Sequence, residues 1–128
     1  MSFSTAELLG INLARGGRGF RDGAERPMID RLAVINVIPD RFERAAYLAM
    51  VLIDRQPFKD ANHRTTATAI ARELGALTVR TEAEIETWLR TGHERNGGLG
   101  LDVTMGQESD TGPVNTAARM ALIRFLGG

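Results

Sequence analysis

The segment AAYLAMVLI, residues 45–53, limits the possible folds more than any other part of the chain. Wound as a helix with Phe42 ahead of it, it has almost no polar face: Phe42, Ala45, Ala46, Leu48, Ala49, Met50, Leu52 and Ile53 surround the axis. Such a helix has to be covered from several directions. The run is far too short to cross a bilayer, which takes about 20 apolar residues. The expectation is therefore a compact all-α bundle with this helix buried at its centre and Asp40 as its cap.

Other segments supply the cover. Ser4 and Glu7 have capping-box spacing, and Leu8, Leu9, Ile11 and Leu13 give a first helix its apolar face. Pro27 suits the first turn of a second helix, with Met28, Ile29, Leu32, Ala33 and Asn36 on one face and a stop near Ile38, before Pro39. A fourth helix is expected from about Asn62 to Leu74, carrying Ala67, Ile70, Ala71 and Leu74, with Gly75 at its end. Thr81 and Glu84 form a second capping box before Ile85, Trp88 and Leu89, and Gly92 ends that fifth helix. Leu99, Leu101, Val103 and Met105 alternate with polar residues and glycine, giving one short extended segment near 99–105. Pro113 opens a last helix through Val114, Ala117, Ala118, Ala121, Leu122 and Phe125. Without a linker or repeat, residues 1–128 read as a single domain.

Charge narrows the partners. Sixteen Lys plus Arg balance sixteen Asp plus Glu, so no basic field draws the chain to nucleic acid or an anionic membrane. There is no cysteine for disulfides or thiolate metal sites, and His63 and His93 follow no zinc spacing. A cytoplasmic protein is the expectation, with His93 exposed at a helix end.

The chemistry concentrates in QPFKDANHRTT, residues 56–66, directly after the buried helix. A helix N-terminus offers unpaired N–H groups and about half a positive charge, which suits phosphate. Asn62 or Asp60 can cap this helix, Ala61 is small enough for a ligand to approach the backbone, and Arg64 in the first turn can grip phosphate oxygens. Asp60 can share a magnesium ion with those oxygens. The same residues also fit an ordinary capped helix with Phe58 packed underneath. Upstream, Arg15 to Gly23 has four glycines and three arginines in nine residues. It reads as a mobile loop, either a plain connection or a lid or target-docking segment, with Arg18 and Arg21 its best phosphate candidates.

The stretch resembles the Fic/Doc family, whose signature runs His-Pro-Phe, any residue, an acid, Gly or Ala, Asn, any residue, Arg. Pro57, Phe58, Asp60, Ala61, Asn62 and Arg64 all fall in place. Ala61 with Arg64 and Thr65 is most similar to the death-on-curing (Doc) toxin branch, and RGFRD at residues 18–22 resembles a Gly-x-Arg-Asp segment of Doc-like proteins. Two positions depart from the pattern. Gln56 stands where the family has its catalytic histidine, and His63 where lysine or glycine is usual.

The resemblance implies a Fic/Doc-type helical bundle that binds ATP with Mg2+ and transfers phosphate, or AMP, to a hydroxyl of a target protein. Doc-like members modify translation elongation factor Tu and accept a helical antitoxin tail. By position, Asp60 would bind the metal, Ala61, Asn62, His63 and Arg64 would hold the nucleotide's phosphates, Arg64 would also neutralise developing charge, and Phe58 would anchor the loop. Gln56 would face the target hydroxyl, but a carboxamide can only orient it. His63, seven residues on and at a positive helix end, is poorly placed as a replacement base. A non-catalytic nucleotide- or peptide-binding module is the alternative.

Overall fold

The computed structural model describes residues 3–95 and 113–128, with the side chains of all except 54, 92–95 and 113–116. The order is α1 (Thr5–Ala14), α2 (Glu25–Asn36), α3 (Arg41–Arg55), α4 (Asn62–Leu74), a 3-10 turn (Gly75–Leu77), α5 (Glu82–Arg95) and α6 (Pro113–Leu126). The protein is an all-α bundle, and among the described residues no helix is long and apolar enough to cross a membrane. The extended segment expected near 99–105 lies outside the described residues, as does the side chain of His93.

Helix α3 is central, as its composition requires. One of its faces places Ala45, Ala46, Ala49 and Ile53 in a cluster with Ala67, Ile70 and Leu74 of α4, Ile85, Trp88 and Leu89 of α5, and Ala118, Leu122, Ile123 and Leu126 of α6. The opposite side contributes Leu48, Val51 and Leu52 to a second cluster with Phe3, Leu8, Ile11, Met28, Leu32, Ile35, Phe58 and Ala69. Helices α1 and α2 thus cover one side and α5 and α6 the other, with α3 and α4 as the shared middle. The alanines of α3 and α4 are small enough to bring the two backbones close, and α4 is the main packing partner of α3.

Local chemistry sets the helix ends. Ser4 Oγ accepts from Glu7 N at 3.1 Å and Asp40 Oδ1 from Glu43 N at 2.9 Å. At α5 the box is reciprocal: Thr81 N donates to Glu84 Oε1 at 3.0 Å and Glu84 N to Thr81 Oγ1 at 3.1 Å. The Thr81 backbone N–H, followed by the Thr81 hydroxyl and the nearby Arg80 charge, holds the Glu84 carboxyl below its ordinary pKa.

Four expectations need correction, the first being Leu13, which is exposed rather than on the buried face of α1. Helix α5 continues through Gly92 to Arg95, because one interior glycine weakens a helix by only about 1 kcal/mol. In α2 the buried stripe is Met28, Leu32 and Ile35, while Ile29 and Ala33 face outward. Asn36 instead clips the N-terminal segment, donating to Phe3 O and accepting from Phe3 N, both at 2.8 Å. In α6, Ala117 is exposed and the buried stripe starts at Ala118.

Helices α3 and α4 also share a buried ion pair. Glu73 is fully buried, Arg44 Nε donates to its Oε1, and Arg41 Nε lies 3.9 Å from Oε2. Arg44 Nη1 also donates to Ile38 O at 2.8 Å, tying the α2–α3 turn to the same pair.

Candidate functional site

The loop between α3 and α4 is entered and left through left-handed backbone. Gln56, the C-cap of α3, has φ 43 and ψ 60, and Ala61, the N-cap of α4, has φ 58 and ψ 27. They are the two non-glycine residues with positive φ among the described residues. An L-residue there costs about 1–2 kcal/mol, so both ends of this loop are held by their surroundings.

The side chains expected to cap α4 do other work. Asn62 folds back onto Phe58, accepting from its N at 3.1 Å and donating to its O at 3.0 Å. Asp60 accepts from Arg18 N and Arg18 Nε, both at 2.9 Å. Helix α4 therefore starts without a side-chain cap. A left-handed residue followed by a helical one also turns successive N–H groups toward a common point, the concave arrangement that binds anions. Arg64 is exposed in the first turn, and its charge reaches Asp60. His63 is half-buried beside it.

The glycine- and arginine-rich segment is laid against this loop. Phe20 and Phe58 form an isolated antiparallel bridge, with Arg21 N donating to Pro57 O at 2.8 Å and Lys59 N to Gly19 O at 2.9 Å. Their rings stack at 4.6 Å between centroids. Phe58 is fully buried, so the paired loops are anchored in the core, and Arg21 Nε adds a bond to Phe58 O at 3.1 Å. Arg18 and Arg21, expected as phosphate contacts, are thus both engaged with the loop itself.

Asn12, which the sequence reading missed, joins all these parts. Fully buried on α1, it donates to Asp60 O at 3.0 Å and Thr65 Oγ1 at 3.1 Å and accepts from Gly19 N at 2.8 Å. A side chain at Gly17 would overlap the Asn12 carboxamide, since a Cβ there falls 2.3 Å from its polar atoms. One signal was legible in the sequence: Asn12 lies on the apolar stripe of α1, four residues after Leu8. A second polar junction lies behind it, where Arg15 Nε donates to Thr68 Oγ1 at 2.9 Å, Thr68 Oγ1 donates to Glu82 Oε2 at 3.1 Å, and Arg15 pairs with Glu82.

The Arg18 hydrogen bonds, helped by the charges of Arg18 and Arg64, hold the Asp60 carboxyl below its ordinary pKa. Because the folded value is lowered, this attachment contributes fully above the carboxylate's ordinary value and is lost as pH falls through the lowered one. The Arg18 amide resonance is expected to titrate with Asp60 in acid and to stop titrating in Asp60→Asn.

An ionised carboxylate at the mouth of α4 suits magnesium that arrives with a nucleotide, since this ion commonly takes one carboxylate and fills its shell from phosphate and water. Among the described residues no cluster of three His, Cys, Asp or Glu groups offers a resident metal site. No family model, curated protein or solved structure matches the chain, so the reading of this site rests on these residues and this geometry.

Proposed function

We propose that the protein is a Doc-like member of the Fic/Doc family that holds the phosphates of magnesium–ATP at the start of α4 and transfers phosphate, or AMP, to a protein hydroxyl. The observation that carries this reading is the Gln56–Ala61 loop, with left-handed residues at both ends, Asp60 beside Arg18, and an uncapped helix carrying Arg64. Phosphoryl transfer asks mainly for positioning and charge stabilisation, and these are what the loop offers. Ala61 to His63 would supply backbone donors, Arg64 would balance charge on the transferred group, and Asp60 would exchange Arg18 for the magnesium that accompanies the nucleotide. Phe58 fixes the frame and makes no contact with the reacting atoms. The resemblance makes translation elongation factor Tu the target and a helical antitoxin tail the partner.

A second reading, a nucleotide- or peptide-binding module without transfer, is favoured by Gln56, whose carboxamide cannot accept the hydroxyl proton. The transferase reading and a nucleotide-binding module both need the phosphate cradle; a peptide-binding module does not. Titration of magnesium–ATP into Arg64→Ala is expected to show at least about tenfold weaker binding than the unmodified chain, the scale of one lost charge-assisted contact. Equal affinity in the two proteins would remove the cradle, and with it the transferase and nucleotide-binding readings, leaving only a peptide-binding module.

A further inference from the structure

Asp60 is engaged twice by one residue. Its Oδ1 accepts from the Arg18 backbone N–H and its Oδ2 from Arg18 Nε, both at 2.9 Å. The two contacts are not held equally firmly. The backbone around Arg18 is fixed on either side, where Gly17 N donates to Asn12 O at 2.8 Å, Gly19 N to Asn12 Oδ1 at 2.8 Å and Lys59 N to Gly19 O at 2.9 Å. The Arg18 side chain, by contrast, is 71% exposed. Its guanidinium can therefore leave Oδ2 without opening the loop. An exposed pair of this kind contributes little to stability, so its consequence lies in charge.

Charge around the carboxylate is out of balance. The guanidiniums of Arg18 and Arg64 both reach Asp60, and the uncapped start of α4 adds about half a positive charge. One negative group set against two full positive groups and one partial leaves the mouth of α4 electropositive. A bare divalent ion meets an oxygen that is already taken and a field that repels it. An ion carried on phosphates meets neither obstacle, because the phosphates bring negative charge of their own and offer the guanidinium a new partner.

We infer that Arg18 is a built-in competitor for the cation on Asp60: it closes the carboxylate to free divalent ions and yields it to an ion carried by a polyphosphate, whose oxygens take over the guanidinium. The inference rests on the proposed function for the identity of that polyphosphate as a nucleotide. It adds a rule of loading to that reading, since Asp60 is not filled ahead of the nucleotide.

The test uses manganese(II) as the probe ion, with the free ion counted by electron paramagnetic resonance at low ionic strength, alone or with ATP. Arg18→Gln keeps the backbone contact and removes the charge. It is expected to bind manganese alone about tenfold more tightly than the unmodified chain, the scale of one unit charge acting on a dication at roughly 5–6 Å in water. Its affinity for manganese–ATP is expected not to rise in step, because the phosphate contact is lost at the same time. Adding Asp60→Asn to Arg18→Gln is expected to remove the gain. Unchanged binding of free manganese in Arg18→Gln overturns the inference, as does a gain that survives Asp60→Asn or one that is equal for free and ATP-borne manganese. Weaker binding of both forms also overturns it, since that is what a purely structural contact produces. Inorganic tripolyphosphate in place of ATP is expected to give the same signs. If it does so while ATP binds neither protein, the competitor stands and the nucleotide reading falls. If manganese–ATP binding depends on Arg64 and is indifferent to Arg18→Gln, as is binding of the free ion, the inference falls and the proposed function stands.

Discussion

Gln56→His is expected to raise the transfer of label from magnesium–ATP to protein in a cell lysate by about 10²- to 10⁴-fold over the unmodified chain, the range attributed to a positioned general base. A carboxamide has no usable basicity, whereas an imidazole titrates near pH 6.5 and can take a hydroxyl proton at neutral pH. The backbone at this position admits the exchange. Gln56 is left-handed at φ 43, a conformation in which histidine is among the better tolerated residues, so the loop has no reason to rearrange. Gln56→Ala is the control and should match the unmodified chain. Label carried on the γ-phosphate or on the α-phosphate separates phosphate transfer from AMP transfer. If neither label is transferred by Gln56→His while ATP still binds, the chain is a binding module.

Arg44→Ala is expected to lower the folding free energy by about 3–5 kcal/mol, measured by urea denaturation, because it strands a carboxylate inside the protein. Glu73 is wholly buried, and its remaining cation, Arg41, lies 3.9 Å from Oε2 on a side chain that is about half exposed. Arg44 also holds Ile38 O, so the turn before α3 loosens with it. The paired change Arg44→Met with Glu73→Leu should recover most of that loss, since replacing both members of a buried pair is often neutral or better. A loss below about 1 kcal/mol in Arg44→Ala would mean that Arg41 moves in to take over the carboxylate.

Both results depend on features that were unequally visible in the sequence. The bounds expected for α4 are the ones observed, because Leu74 and Gly75 mark its end and the loop motif marks its start. The central place of α3 followed directly from its composition. The outward face of α2 was misjudged because Met28, Ile29, Leu32 and Ala33 define two candidate stripes one residue apart, and only packing on α3 chooses between them. Gly92 was read as a stop, although a helix tolerates one glycine when its remaining turns stay paired.

The site was legible as a set of residues but not as an arrangement. Asn12 and Asp60 are 48 positions apart and Asn12 and Thr65 are 53 apart, and no local pattern reports contacts at that distance. The glycines of residues 16–23 suggested freedom because glycine widens backbone choice. In the folded chain that choice is used to lay Gly19 to Arg21 against Pro57 to Lys59. Asp60 and Asn62 looked like caps because acids and amides usually serve that purpose at helix starts. Their actual partners, Arg18 and Phe58, come from the neighbouring loop and from within the loop itself.

The two left-handed residues that bound the loop have a consequence for how such a protein can change over time. Its curve is imposed by main-chain torsions, by a buried ring and by an amide hub on another helix, and the ring and the hub do not involve the group at position 56. Shape and reactivity can therefore drift independently. A residue that tolerates the left-handed backbone, such as histidine, can replace Gln56 while the rest of the loop keeps its frame.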